Sequence, residues 1–194
     1  MHRAFMKSRP LRLALVALLL GGATQLAAKP LVVCTEASPE GFDIVQYTTA
    51  VTADASAETV FNRLVDFKPG TTEIQPALAE SWDISADGLT YVFKLRTGVK
   101  FHNGEPFNAA TVKFAFERAV AEGSTNKDKA VFANIVNMRA TDDLTIVITL
   151  KNTNPDFLFQ IGQATASIVE PKSAATNNTQ PVGTGPYRLD SWAK

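Results

Sequence analysis

From Trp82 to Arg96 the chain reads WDISADGLTYVFKLR, with Tyr91, Phe93 and Leu95 alternating against Val92, Lys94 and Arg96. A period of two puts one apolar and one mixed face on an extended chain. WDIS and TYVFKLR are therefore expected to be strands, joined as a hairpin at Ala86, Asp87 and Gly88. Past His102, Asn103 and Gly104 make a turn, and Pro106 delays the next helix. Asn108 then caps AATVKFAFERAVAEG, whose Val112, Phe116 and Ala119 form one stripe and whose end is marked by Gly123. DDLTIVITLKN is expected to be a strand behind a turn at Asp142 and Asp143. NPDFLFQIGQ is expected to be a short helix begun at Pro155, and YRLDSW reads as a further strand.

Upstream, KPLVVCTE clusters β-branched residues and predicts a buried strand, followed by a loop over EASPEGFDIVQYTTAV. In DASAETVFNRLVDF the positions Val60, Phe61, Leu64 and Val65 fall at helical spacing, behind Asp54 or Ser56 as cap. Phe114, Phe116, Phe157 and Phe159 are assigned to the core. Helices and strands intermix without strict βαβ repetition, so the expected class is α+β or mixed α/β.

The first 28 residues run from basic (Arg3, Lys7, Arg9, Arg12) through apolar LALVALLLGG to small residues ending at Ala28, the order of a secretory signal peptide cleaved near Ala28. Four of the 19 basic residues and none of the 19 acidic ones lie there, so residues 29–194 carry 15 basic against 19 acidic groups. That acidic balance argues against a nucleic-acid or anionic-membrane surface, which needs clustered Lys and Arg. Cys34 is the sole cysteine. In an exported chain it is either buried and unpaired or bonded to a group outside this sequence. A lipid anchor is disfavoured, because Val33 fills the position that such sites give to a small residue.

Little in the chain points to chemistry. His102 has no second histidine or cysteine near it in sequence to build a metal site, and it is read as a turn residue bonded to local backbone. No GxSxG turn raises a serine nucleophile. Gly183, Thr184 and Gly185 form a GxG, but Pro186 follows and the segment leads away from a helix, so a tight backbone crossing accounts for it better than a phosphate cradle. Asn177, Asn178 and Thr179 spell a glycosylation sequon, a triplet common by chance.

The run ALAESWDISADGLTYVFKLRTGVKFHNG, then PFNAATVKFAFERA and VGTGPY, resembles the family 5 extracellular solute-binding proteins of ABC importers. Within it, LVVCTEASPEGFDIVQYTT and FNRLVDFKPGTTEIQPALAE are most similar to the periplasmic dipeptide-binding proteins. The resemblance implies the N-terminal part of a two-lobed, mixed α/β periplasmic-binding-protein fold. Residues 29–71 would open the first lobe, 72–181 would form an accessory subdomain, and 182–194 would return to the lobe. It further implies a non-enzymatic, monomeric periplasmic binder with no cofactor or metal, whose partners are a dipeptide or short peptide and an inner-membrane ABC permease. The family's cleft-facing segment matches Tyr47, Thr48, Thr49 and Val51, with Phe132 as a further candidate. The residues gripping the peptide's termini would lie beyond Lys194. Cys34 matches a cysteine of the dipeptide binders, which implies a disulfide with a partner outside this chain. Thr111 departs from the family, which usually has an acid in that first helical turn. Relatives also take haem or nickel complexes. An exported hydrolase is the alternative class, and it would need two carboxyl groups about 5–10 Å apart in a pocket.

Overall fold

The computed structural model describes residues 32–47 and 49–193; the signal segment, residues 1–28, and Thr48 lie outside the described residues. The chain divides after Cys34, and Thr35–Lys194 forms one compact unit. In chain order that unit holds α1 (Ala50–Ser56), β1 (Val65–Phe67), β2 (Ile74–Pro76), β3 (Ala79–Ile84), β4 (Thr90–Leu95), α2 (Ala109–Val120), α3 (Lys129–Ala133), β5 (Ile135–Asp142), β6 (Thr145–Leu150) and α4 (Phe157–Ile161). Two 3-10 turns, Ala164–Ala166 and Pro171–Ser173, follow.

The alternation read in the sequence builds the main sheet. β3, β4, β6 and β5 lie in that order, antiparallel throughout, with Phe93 opposite both Trp82 and Ile146. Tyr91, Phe93 and Leu95 from β4 and Ile146, Ile148 and Leu150 from β6 are all buried on one face. Against them pack Val112, Phe116 and Ala119, the stripe of α2, together with Phe157 and Ile161 of α4. Each fully buried aromatic or aliphatic side chain here contributes about 1.5–3 kcal/mol relative to exposure. The mixed α/β class is the one observed.

The hairpin turn is held by Asp87. Its carboxylate accepts from the Ser85 hydroxyl and the Leu89 amide, which keep it below the usual carboxylate range, and Gly88 takes φ +69°. At α2, Asn108 accepts from the Thr111 amide at 3.1 Å and the Thr111 hydroxyl accepts from the Asn108 amide at 3.2 Å. A reciprocal capping box thus forms with Thr111 as its third helical residue, a cap of about 1 kcal/mol. α2 stops at Val120, and Gly123, at φ +78°, turns the chain beyond it.

Several expectations are corrected. Val32, Val33 and Cys34 are exposed and unpaired by any described strand, so KPLVVCTE is not a buried strand among the described residues. The first helix is not 54–67 but Ala50–Ser56, capped by Thr49. Val60, Phe61 and Leu64 are buried in non-helical chain leading into β1, and Val65, also buried, is the first residue of that strand. Their carbonyls explain it: Val60 accepts from Gly185, Asn62 from Ile168, and Leu64 from Ala77 and Ala79, so distant segments take the bonds a helix would use internally. Phe159 is 41% exposed, its ring lying on Phe67 at 5.1 Å rather than in the core. YRLDSW has no regular structure, although the Tyr187 amide bonds the Thr59 carbonyl at 2.9 Å.

Candidate ligand-binding segment

The segment singled out in the sequence sits at the start of α1. The Thr49 hydroxyl accepts from the Thr52 amide at 3.4 Å and donates to the Thr52 hydroxyl at 3.2 Å, satisfying one of the amides a helix start leaves open. Thr49 is exposed, Tyr47 half-buried and Val51 buried. Before Tyr47 the chain makes a turn in which the Asp43 carbonyl accepts from both Gln46 and Tyr47 amides, at 2.9 and 2.8 Å. The Asp43 carboxylate, buried in turn, is paired with both guanidinium nitrogens of Arg118 at the end of α2. Tyr47 thus follows directly from a turn anchored in the interior. Phe132 is placed elsewhere: it is 3% exposed and packs on Phe116 at 5.1 Å, so any part it plays in binding runs through that packing. Cys34 is exposed and free.

The GTG run is the tight crossing that its sequence suggests. A Cβ added at Gly183 would lie 2.0 Å from the Val60 carbonyl oxygen, and one at Gly185 2.4 Å from that of Thr59. His102 clamps this crossing. Its amide donates to Gly183 O at 2.9 Å, Nδ1 accepts from the Gly183 amide at 3.4 Å, and Nε2 lies 2.9 Å from Gly185 O. The acceptor role of Nδ1 assigns the proton to Nε2. The backbone it binds is therefore about 80 residues away in sequence, not local as first read. Both ring nitrogens are occupied, so a general-base role would require breaking a backbone bond.

An open hollow of about 610 Å³ lies between this turn and residues 179–192, lined by His102, Gln180, Arg188, Asp190 and Trp192 among others. Among the described residues no group of three or more His, Cys, Asp or Glu is placed to hold a metal ion, and no helix is long and apolar enough to cross a membrane. The sequon's Asn177 is fully buried, its side-chain oxygen accepting from the Val182 amide at 3.0 Å, which withholds it from modification in the folded chain.

The chain belongs to the bacterial extracellular solute-binding proteins, family 5, whose middle region matches residues 73–194. It is 47% identical over 221 residues to Di/tripeptide-binding protein 4 of Pseudomonas aeruginosa, covering 100% of this chain and 41% of that protein. Heme-binding protein A of Haemophilus influenzae is 40% identical over 182 residues, covering 80% of this chain and 33% of that one. Among solved structures, the dipeptide binding protein from Pseudoalteromonas sp. SM9913 in complex with Met-Leu superposes with a TM-score of 0.75 at 29% identity, over 82% of this chain and 37% of that one. The chain thus spans about two-fifths of the length of the curated peptide-binding relative. The expectation of a binder rather than an enzyme agrees with this membership.

Proposed function

We propose that the protein of which this chain forms part is the periplasmic solute-binding component of an ABC importer, capturing dipeptides or short peptides and delivering them to an inner-membrane permease. The observation that carries this reading is the 47% identity, across the whole chain, to a di/tripeptide-binding protein. In the same reading the chain contributes to a two-lobed fold, with 72–181 as accessory subdomain, and export through residues 1–28 brings it to the periplasm. Tyr47, Thr48, Thr49 and Val51 face the ligand, and Phe132 supports them from the core. A ligand enclosed between lobes is bound by burying most of its surface and matching a few polar groups, which suits a segment composed of a tyrosine and threonines.

Calorimetry on the complete protein, titrated with Met-Leu and a dipeptide panel, tests the proposal. Micromolar binding is expected, about −8 kcal/mol, with Tyr47→Ala weakening it by about 1–3 kcal/mol through lost ring contact. Haem binding without dipeptide binding would overturn the ligand assignment in favour of the second reading, for which the 40% identity to a heme-binding protein is the specific support.

Cys34, exposed and free among the described residues, pairs in this reading with a cysteine outside the chain. Thiol titration of the complete oxidised protein should find Cys34 unreactive. A reactive Cys34 thiol there refutes the pairing.

A further inference from the structure

Gln46 and Thr125 stand 79 positions apart in sequence, yet the two are joined by three hydrogen bonds. The Thr125 amide donates to Gln46 Oε1 at 2.8 Å, and the Thr125 hydroxyl reaches the Gln46 main-chain oxygen at 2.6 Å and Oε1 at 3.2 Å. Gln46 Nε2 lies a further 3.5 Å from the Ser124 hydroxyl. Thr125 itself is exposed, but it is a fixed post, because its neighbours Ser124 and Asn126 are buried. The Ser124 hydroxyl donates to Ala119 O at 2.8 Å and accepts from the Asn126 amide at 3.2 Å, and Asn126 Nδ2 donates to Thr165 O at 3.1 Å. The loop after α2 is thereby tied to the interior on both sides of the residue that holds Gln46.

Gln46 is the residue immediately before Tyr47. Its main-chain oxygen belongs to the peptide unit that continues into Tyr47, so the Thr125 hydroxyl fixes the orientation of that peptide plane as well as the side chain. On the other side, Thr49 is fixed by its helix-capping role. Gln46 and Thr49 are thus each held in place, Gln46 by a loop more than seventy residues later in the chain.

We propose that Gln46 and Thr125 are positioning residues for the ligand-facing segment: the loop 121–126 sets the pose of Tyr47, and so tunes peptide affinity without touching the peptide. This rests on the reading of Tyr47–Val51 as ligand-facing. It assigns to the loop after α2 a role in recognition, not only in packing.

The test uses the complete protein with four substitutions. Thr125→Val keeps shape and amide but removes the hydroxyl, Thr125→Ser restores it, and Gln46→Glu keeps an acceptor at Oε1 where Gln46→Leu does not. Met-Leu affinity is measured by calorimetry, and amide exchange is followed across residues 47–52 without ligand. Thr125→Val and Gln46→Leu should each weaken Met-Leu binding about three- to tenfold, the worth of one net hydrogen bond, and speed exchange in 47–52 selectively. Thr125→Ser and Gln46→Glu should recover most of both. Unchanged affinity and exchange in Thr125→Val overturns the proposal, as does a loss of protection spread over the whole molecule, which is the mark of a merely structural bond. If the unaltered protein binds no Met-Leu, the ligand reading fails by itself, and selective exchange in 47–52 still decides whether Thr125 positions the segment.

Discussion

Gly183→Ala is expected to lower the apparent melting temperature by about 6–12 °C, the equivalent of about 3 kcal/mol for a unit of this size. The added Cβ would meet the Val60 carbonyl oxygen at 2.0 Å, Phe61 Cδ1 at 2.7 Å and Val60 C at 2.8 Å. None of these can yield easily. Phe61 is fully buried, and the two backbones are locked together by the Gly185 amide on Val60 O at 2.8 Å. Overpacking of this kind costs about 1–3 kcal/mol, and pushing the segments apart forfeits about 1 kcal/mol more for each crossing bond lost. Two such bonds, from Gly185 and Tyr187, are at stake, with the His102 contacts behind them. Gly98→Ala is the control. There φ is +71° with nothing within 4 Å of the new atom, so only the left-handed conformation is penalised, by about 1–2 kcal/mol. Thermal unfolding of the two variants side by side checks the argument, and equal shifts would mean that the crossing is not tight in solution.

That crossing also shows what sequence reasoning could and could not reach. Two glycines flanking a threonine, followed by proline and leading away from a helix, were enough to favour close backbone approach, but not to say against what. Where a segment's bonds are local, pattern and structure agree. The β3–β4 hairpin has alternation and a turn aspartate, and α2 has its cap and stripe within one stretch of chain. Where bonds are distant, the pattern misleads. Val60, Phe61, Leu64 and Val65 mimic one helical face, yet the neighbouring carbonyls are claimed by the amides of residues 168, 185 and 187. β5 was missed for a related reason: it is an edge strand with irregular register near both ends, and its outward Val136 is 59% exposed, so no clean alternation survives. α1 was missed because Thr52 and Ser56, two of its three buried residues, are polar. At the candidate site, Tyr47, Thr48, Thr49 and Val51 are candidates through family resemblance alone. Gln46 and Thr125 carry no signal of their own, since a glutamine and a threonine 79 positions apart look like two ordinary polar residues until the fold joins them.

Arg118→Ala should cost about 3–5 kcal/mol, because it leaves a buried carboxylate without its partner. Asp43 is 3% exposed, and Arg118 meets both of its oxygens, Nη1 reaching Oδ1 at 3.2 Å while Nη2 pairs with Oδ2 and also donates to Ala174 O at 3.3 Å. The two-pronged geometry is one that lysine cannot reproduce, so Arg118→Lys should recover only part of the loss. Converting both partners, Asp43→Asn with Arg118→Met, removes the stranded charge and should be milder than Arg118→Ala alone, since the penalty lies in the unpaired ion more than in the missing attraction. Urea unfolding of the four proteins measures this order. The consequence reaches the candidate site, because the Asp43 carbonyl carries the amides of Gln46 and Tyr47. When Arg118 is removed, the turn loses its interior anchor and amide exchange at Gln46 and Tyr47 should rise together with the loss of stability. A cost below about 1 kcal/mol, the range of exposed ion pairs, would show that water reaches Asp43 in solution and that the turn before Tyr47 is held by the Gln46–Thr125 contacts instead.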